Sequence, residues 1–494
     1  MKNQSAKIGL FLGPLLFVVI LLFCHPEGMS REANAILAGT VWVAVWWITE
    51  ALPIAVTALL PIVLFPTTGG LSLSDTTESF GHKFVFLYVG GFIIAIAIEK
   101  WGLHKRIALN IIRLIGTNVS SMILGFMVAT AFLSMWISNT ATAVMMLPIG
   151  MAIVAQLRDN PATREDENQI FGKALMLSIA YSSSIGGIAT LIGTPPNLVL
   201  AGVLEETYKI EITFAQWIVV GLPIAVLLLF ICWKYLTSYA FQFKQKNFPG
   251  GRDEIERQLR LLGPTTFEEK MVMGVFAFTA LAWISRSFLL EKWIPGMDDT
   301  IISMFGAIIL FVLPASKAKG GHLLDWESAV KLPWGVLFLF GGGLAIAAGF
   351  EQTGLANWIG QQMSLLQGIA LIFILLILIA SVNFLTEITS NLATTAMILP
   401  VLAAMALTID VHPFTLMIGA TIAASCAFML PVATPPNAIV FASGYLTIPD
   451  MMRTGFILNI ISIIIVTLLV YFALPLMWGF EPVGFPEGLK EVLK

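Results

Sequence analysis

The chain has 494 residues, of which 57% are hydrophobic and only 12% are charged, about half the charged share of a soluble globular protein. Apolar runs of close to 20 residues recur along its whole length, so the composition predicts a polytopic α-helical membrane protein. The formal net charge of −3 argues against a nucleic-acid partner, and three scattered cysteines indicate neither a disulfide framework nor a metal site.

The first apolar run, Ile8–Cys24, follows two lysines and so resembles a signal peptide. It is followed by His25-Pro26-Glu27 and not by a small-x-small cleavage pattern, which favours a retained N-terminal helix within residues 1–32. Three more helices are expected near 33–51, 52–65 and 84–99. Lysine and arginine mark cytoplasmic loops; they cluster at 100–113, 158–164, 234–260 and 317–331 and are sparse at 25–31, 66–80, 203–213 and 351–367.

The segment 120–157 has two apolar halves separated by Ser138-Asn139-Thr140. Basic residues stand at both of its ends, so the chain should enter and leave on the cytoplasmic side. This favours a re-entrant hairpin with the polar triplet at its tip over two full crossings.

The next apolar segment, 171–206, is too long for one straight span, since about 35 residues make roughly 50 Å of helix against a hydrocarbon core of about 30 Å. Pro195-Pro196 lies within it and removes two backbone donors. The segment is therefore predicted to be one span that is unwound in the middle of the membrane. The polar stretch 237–266 is interpreted as a cytoplasmic loop.

The second half of the chain repeats the first. Ser138, Asn139 and Pro148 correspond to Ser390, Asn391 and Pro400 at an offset of 252, and Thr194–Asn197 corresponds to Thr434–Asn437 at an offset of 240. Each unit has an odd number of spans, so the second should enter the membrane inverted, as in secondary transporters. The expected organisation is a first repeat at 33–236, a second repeat at 267–480 with a hairpin at about 368–409 and a broken helix at about 413–445, and a tail at 481–494.

The polar tips have donors and acceptors but almost no charge. The ranges 120–157 and 174–203 contain no charged residue, and 368–409 contains only Glu387. Hydroxyl, amide and carbonyl oxygens suit a small hard cation such as Na⁺, whereas helix N-termini and amide N–H groups suit a carboxylate. A bound cation would supply the positive charge that an anion needs here, which predicts coupled binding. Glu387 is interpreted as a brace of the second hairpin more than as a cation ligand.

At these residues the sequence resembles the divalent anion–sodium symporter family of dicarboxylate and citrate transporters. The resemblance covers nearly the full chain, including the motifs at 184–197 and 425–444. It implies about 11 transmembrane helices and two re-entrant hairpins, divided into a scaffold and a mobile transport domain that moves as an elevator. It also implies a homodimer in a plasma membrane, most simply a bacterial inner membrane, that imports C4 dicarboxylates such as succinate, malate or fumarate with Na⁺.

The resemblance also implies the site residues, motif by motif. One Na⁺ site would use Ser134, Ser138, Asn139 and Gly193. The other would use Thr386, Thr389, Asn391 and Ala433. The substrate carboxylates would contact Asn139, Thr140, Thr194, Pro195, Ser390, Asn391, Thr434 and Pro435.

One position departs from the family pattern, because Leu392 stands where a second Ser-Asn-Thr would have threonine. Leucine cannot donate a hydrogen bond, so substrate preference is open; Thr394 or Thr395 are candidates to replace the donor. The alternatives are a Na⁺-independent exchanger of dicarboxylates, citrate or 2-oxoglutarate, and a symporter for sulfate or another oxyanion. An intramembrane enzyme is disfavoured, since the sequence has no HExxH motif and no paired intramembrane aspartates.

Overall fold

A computed structural model describes residues 2–116, 118–158, 165–243, 251–363 and 368–492. This part of the chain is helical and contains no β-strand, only two isolated bridges. Eight helices within it are long and apolar enough to cross a membrane, and five shorter apolar helices accompany them. The predicted all-α membrane fold is confirmed; the division into repeats at the stated boundaries stays a prediction.

The N-terminal part contains α1 (Lys2–Phe23), α2 (Arg31–Thr49), α3 (Ile54–Thr57), α4 (Leu60–Thr68), α5 (Leu73–Glu78), α6 (Lys83–Lys100) and α7 (Leu103–Ile115). The helix expected at 52–65 is thus two short pieces. Together they cover about 22 Å, which is less than the thickness of the hydrocarbon core. Pro53 precedes the first piece and Pro61 lies in the first turn of the second, where proline is tolerated.

The first hairpin and broken helix are α8 (Val119–Ser134), α9 (Asn139–Arg158), α10 (Glu165–Ile188) and α11 (Pro195–Tyr208), followed by α12 (Phe214–Tyr235). The break in the long apolar segment covers 189–194, directly before the two prolines. Thr194 is extended, with φ −141° and ψ 141°, as expected for a residue before proline.

The middle of the chain contains α13 (Gly251–Leu262), α14 (Phe267–Ser285), α15 (Glu291–Trp293), α16 (Asp299–Val312), α17 (Trp326–Ala329), α18 (Trp334–Gln352) and α19 (Leu355–Gln362). The interpretation of 237–266 as a loop is wrong for α13. This amphipathic helix packs on α7 and α9 and has acidic residues in its first turn and Arg260 in its last, which complement the helix dipole.

The C-terminal part contains α20 (Leu371–Thr386), α21 (Asn391–Thr408), α22 (Pro413–Ala424), α23 (Pro435–Phe441), α24 (Ile448–Leu468), α25 (Leu474–Trp478) and α26 (Glu487–Val492). The second break, 425–434, is longer than the first. Thr434 has φ −140° and ψ 149°, nearly the values of Thr194. The two breaks therefore share their local geometry as well as their sequence.

Close helix packing explains some of the repeated glycines. A Cβ on Gly90 would lie 2.3 Å from Ser303 Oγ, and one on Gly342 would lie 2.4 Å from the Ala58 carbonyl oxygen. Gly102 and Gly354 precede α7 and α19 with φ of 71° and 73°, a conformation that favours glycine. The glycine pattern thus reflects packing and turns.

The hairpins and broken helices of the two halves of the chain pack on one another. Within each half the hairpin packs on the broken helix, α8 and α9 against α10, and α20 and α21 against α22. Between the halves, α9 and α10 pack on α23, and α11 packs on α21. This arrangement brings both hairpins and both broken helices into one packed unit.

Candidate functional site

The first tip is organised around the side chain of Asn139, the first residue of α9. One terminal atom of its amide lies 3.2 Å from the Gly193 carbonyl oxygen, 3.2 Å from the Ser183 carbonyl oxygen and 2.7 Å from Ser134 Oγ. Ser134 Oγ also donates to the Ser183 carbonyl oxygen at 2.7 Å. Three of the four residues predicted for the first Na⁺ site are therefore brought together, and the Ser183 carbonyl is an addition that sequence reasoning missed.

This cluster is rich in oxygen. With its nitrogen inward, the Asn139 amide donates to the two carbonyls; with its oxygen inward, every atom facing the centre is an oxygen. Such a set of carbonyl, hydroxyl and amide oxygens is what hard cations prefer. The donor set fits Na⁺, and the amide can satisfy the same oxygens when no cation is bound.

Two glycines allow this close approach. A Cβ on Gly187 would lie 2.5 Å from Asn139 Oδ1, and one on Gly193 would lie 2.5 Å from the Gly187 carbonyl oxygen. Asn197 in turn donates from Nδ2 to the carbonyls of Gly187 at 3.2 Å and Thr190 at 2.8 Å. The break is thereby fixed in shape without a regular helix.

Ser138 has a different role from the other members of the predicted set. Its hydroxyl accepts from the Ala141 N–H at 3.3 Å, which caps α9. The structure thus assigns Ser138 a capping contact, while Ser134 and Gly193 contact the Asn139 amide.

The second tip repeats the central contact. Thr386 Oγ1 donates to Asn391 Oδ1 at 2.7 Å and to the Ala424 carbonyl oxygen at 3.1 Å. Asn437 Nδ2 donates to the carbonyls of Ala427 at 3.3 Å and Leu430 at 3.0 Å, the counterparts of the Asn197 contacts at an offset of 240. Thr386 and Asn391 are thus paired as Ser134 and Asn139 are.

The other two residues predicted for the second Na⁺ site, Thr389 and Ala433, make hydrogen bonds elsewhere. The Thr389 hydroxyl lies 2.5 Å from the Thr394 hydroxyl and donates to the Leu385 carbonyl at 2.9 Å. The Ala433 N–H donates to the Leu430 carbonyl at 3.1 Å. These contacts involve neither Thr386 nor Asn391.

The predicted substrate-contacting residues differ in exposure. Thr140 and Pro435 are exposed; Asn139, Pro195, Ser390 and Asn391 are half-buried; Thr194 and Thr434 are buried. Helices α9 and α21 begin at or beside them, so unpaired backbone N–H groups of their first turns lie at the tips; α11 begins with two prolines and adds only its positive dipole end. This environment can receive carboxylates without basic side chains.

The two tips are not equivalent at the position where the sequences differ. Thr140 is exposed, whereas Leu392 is only 5% exposed and belongs to the apolar core. Thr395 Oγ1 donates to the Asn391 carbonyl at 2.8 Å, and Thr394 is paired with Thr389, both 1% exposed. Both threonines considered as replacement donors are therefore engaged within the hairpin.

Glu387 braces the second break. Its carboxylate accepts hydrogen bonds from the N–H groups of Phe428, Met429 and Leu430 and from Asn459 Nδ2. The interpretation of Glu387 as a brace is confirmed. Asn459 was missed, since a single asparagine in an apolar helix gives no signal of its distant partner. The described residues contain no group of three or more His, Cys, Asp or Glu side chains that could hold a metal ion.

The chain is similar to known proteins over nearly its whole length. Residues 4–478 match the family model described as the sodium:sulfate symporter transmembrane region. A sodium-dependent dicarboxylate transporter of Staphylococcus aureus (strain bovine RF122 / ET3-1) is 49% identical over 493 residues, 99% of this chain and 95% of the relative. The protein of the same name from Staphylococcus saprophyticus is 46% identical over 484 residues, 97% and 93% of the two chains.

Two solved structures share the fold. The structure of Neisseria gonorrhoeae MtrF, which illuminates a class of antimetabolite efflux pumps, has a TM-score of 0.56 at 13% identity, over 98% of this chain and 96% of its own. The Alcanivorax borkumensis YdaH transporter has a TM-score of 0.58 at 11% identity, over 98% of both chains. At such low identity the likeness concerns the fold alone.

Proposed function

The chain belongs to the sodium:sulfate symporter transmembrane family, and on that premise we propose that it imports dicarboxylates together with Na⁺. The relatives that match over nearly the full chain carry the name sodium-dependent dicarboxylate transporter and are bacterial. The chain is accordingly a multi-pass protein of the plasma membrane. Its task is then transport and not catalysis.

The observation that carries the proposal is the oxygen cluster at Asn139. A Na⁺ ion would be held by Ser134, Ser138, Asn139 and Gly193, with the Ser183 carbonyl as a further oxygen. A second ion would be held by Thr386, Thr389, Asn391 and Ala433. In each half a hydroxyl oxygen lies 2.7 Å from the amide of the tip asparagine, Ser134 Oγ from Asn139 and Thr386 Oγ1 from Asn391. This repeated contact supports two related sites.

The dicarboxylate would bind between the two tips, where Na⁺ supplies the positive charge that no lysine or arginine of the tip segments provides. Its carboxylates would meet Asn139, Thr140, Thr194 and Pro195 on one side. On the other side they would meet Ser390, Asn391, Thr434 and Pro435. Because a dianion without its cations would lose too much solvation energy, binding of the two is coupled.

For alternating access we propose an elevator motion in a homodimer. Both hairpins and both broken helices pack into one unit, which supports their movement as a single body. Helices α6, α14 and α16, which pack on one another, would belong to the scaffold. Light scattering of the purified protein in detergent tests the dimer, since a monomer mass would contradict it.

The alternatives are exchange of dicarboxylates without Na⁺ and transport of sulfate or another oxyanion. The decisive experiment uses proteoliposomes containing the purified protein and labelled external succinate. Symport predicts uptake only with an inward Na⁺ gradient. Uptake that ignores Na⁺ and requires internal dicarboxylate would establish exchange instead, and competition by unlabelled succinate, malate, 2-oxoglutarate, citrate and sulfate would identify the substrate class.

A further inference from the structure

Glu387 is only 3% exposed, and hydrogen-bond donors surround its carboxylate. The N–H groups of Phe428 and Met429 donate to Oε1 at 2.8 and 3.0 Å, and that of Leu430 donates to Oε2 at 3.0 Å. Asn459 Nδ2 donates to Oε1 at 2.7 Å. An ionised carboxylate only accepts hydrogen bonds, so these four donors match a carboxylate that carries its charge.

In the described part of the chain this carboxylate takes part in no ion pair, and the groups that face it are backbone and amide N–H donors. A buried charge without a counter-charge is unfavourable, and dipoles compensate it only in part. A monovalent cation bound nearby would complete the compensation. The burial therefore points to a cation in the vicinity of Glu387.

Glu387 lies between the elements that carry the second proposed Na⁺ site. It directly follows Thr386, whose Cα is about 3.8 Å from its own. Its partners at 428–430 belong to the break that continues to Ala433, and the Leu430 carbonyl accepts from Ala433 N–H. The carboxylate thus holds both the hairpin end and the break in place.

In the first repeat the matching position carries no charge. The position that matches Glu387 at an offset of 252 is Met135. There the break is held by neutral donors: Trp217 Nε1 and Asn197 Nδ2 both donate to the Ile188 carbonyl oxygen, at 3.0 and 3.4 Å. The two related cation sites consequently differ in their electrostatic field.

We propose that Glu387 is a positioning residue whose fixed negative charge makes the second-repeat site the one that binds Na⁺ more tightly; this rests on the proposed Na⁺ coupling. At an effective dielectric constant of about 20, any unit charge within about 10 Å of a bound cation changes the affinity for that cation roughly tenfold or more. The first site, beside Met135, binds Na⁺ without this contribution. Na⁺ therefore occupies the two sites in order, the second-repeat site first.

The test compares Glu387→Gln, which removes the charge, with Glu387→Asp, which keeps it, and Asn459→Leu, which removes one donor only. The readouts are the Na⁺ concentration that half-saturates the tighter site, measured by equilibrium binding of radiolabelled Na⁺ to the purified protein, and the Tm, which reports stability. Uptake is not the readout here, because it needs both sites filled and is limited by the weaker one. Glu387→Gln should raise half-saturating Na⁺ roughly tenfold. The other two variants should remain within about twofold of wild type while losing some thermal stability.

Other outcomes overturn the inference. Glu387→Gln with reduced stability and unchanged half-saturating Na⁺ would make Glu387 a structural brace alone. If that variant does not fold, Asn459→Leu and Glu387→Asp decide: a shift near tenfold in either would show that backbone geometry, not charge, sets the affinity. Failure of the proposed function is distinct, since wild-type uptake would then ignore Na⁺ altogether.

Discussion

Lys83 Nζ lies 2.7 Å from Glu205 Oε1 and joins the start of α6 to the end of α11. Lys83 Nζ is also 3.3 Å from Asp298 Oδ2, and Arg286 Nη1 lies 2.7 Å from Glu211 Oε1. The Lys83–Glu205 and Arg286–Glu211 pairs connect the proposed scaffold to α11 and the loop that follows it, on the face predicted to be extracellular, whereas Lys83–Asp298 joins α6 to the start of α16 within the scaffold. An elevator motion would have to separate the first two pairs.

We expect Lys83→Met and Glu205→Gln each to lower the Tm by about 1 °C, because half-buried ion pairs of this kind contribute about 1 kcal/mol and the unfolding entropy of a chain of this length is about 1 kcal/mol/K. The double variant Lys83→Met/Glu205→Gln should lose less than the sum of the two single losses. The measurement is a double-mutant cycle on thermal unfolding in detergent. A coupling energy of zero would mean that the two side chains do not stabilise this conformation.

Removing the central amide of either tip should abolish coupled transport. Asn139→Ala deletes the group that contacts Ser134, Ser183 and Gly193, and Asn391→Ala deletes the partner of Thr386. Na⁺-driven succinate uptake should fall at least about 100-fold in each, since several oxygens lose their common partner. The matched control is Asn110→Ala on α7, whose amide donates only to the Arg106 carbonyl and accepts from Arg113 in the described contacts. Near-normal uptake by either tip variant would refute the site assignment.

A methyl group at Gly187 should disturb the first cation site selectively. The new Cβ would lie 2.5 Å from Asn139 Oδ1, so the amide must move. Displacement of this kind costs about 1–3 kcal/mol, and we expect half-saturating Na⁺ to rise about tenfold or more in Gly187→Ala. Gly274→Ala on α14 is the control, because no atom lies within 4 Å of its added Cβ. If the two variants had the same half-saturating Na⁺, the close approach of Gly187 to the Asn139 amide would not matter for cation binding.

The burial of Leu392 changes what its substitution should do. The sequence leaves substrate preference open at this position, but a side chain that is 5% exposed should affect stability and not the choice of substrate. The change removes apolar contacts and buries a hydroxyl, which should cost about 1–3 kcal/mol in unfolding free energy and leave the competition profile unchanged. Exposed Thr140 is the contrasting position: Thr140→Val should raise the KM for succinate. A changed profile in Leu392→Thr would show that the position faces the ligand.

Much of the site could be predicted because it depends on local pattern. Pro195-Pro196 and Pro435-Pro436 interrupt their helices because proline has no backbone N–H and its ring clashes with the preceding turn. Thr194 and Thr434 are extended, the conformation that a following proline favours. The pairing of Ser134 with Asn139 spans only five residues, within one helix end and the next. These relationships are properties of short sequence stretches and recur in both halves.

Other features required the packed molecule. The Ser183 carbonyl reaches Asn139 only because α10 packs on α8 and α9. Glu387 and Asn459 are 72 residues apart and meet inside the second half. Helix α13 was missed because a short, strongly charged amphipathic segment has the composition of a loop until α7 and α9 cover one of its faces.

The sequence by itself determined that this is a helical membrane protein built from two related halves with polar tips. Long apolar runs, paired prolines and the 252-residue offset depend only on the order of residues. Tertiary structure decided that the halves pack crosswise, that Leu392 turns into the core while Thr140 stays exposed, and that a buried carboxylate serves only the second break. Those outcomes depend on which side chains share space after packing, and two copies of one motif receive different neighbours.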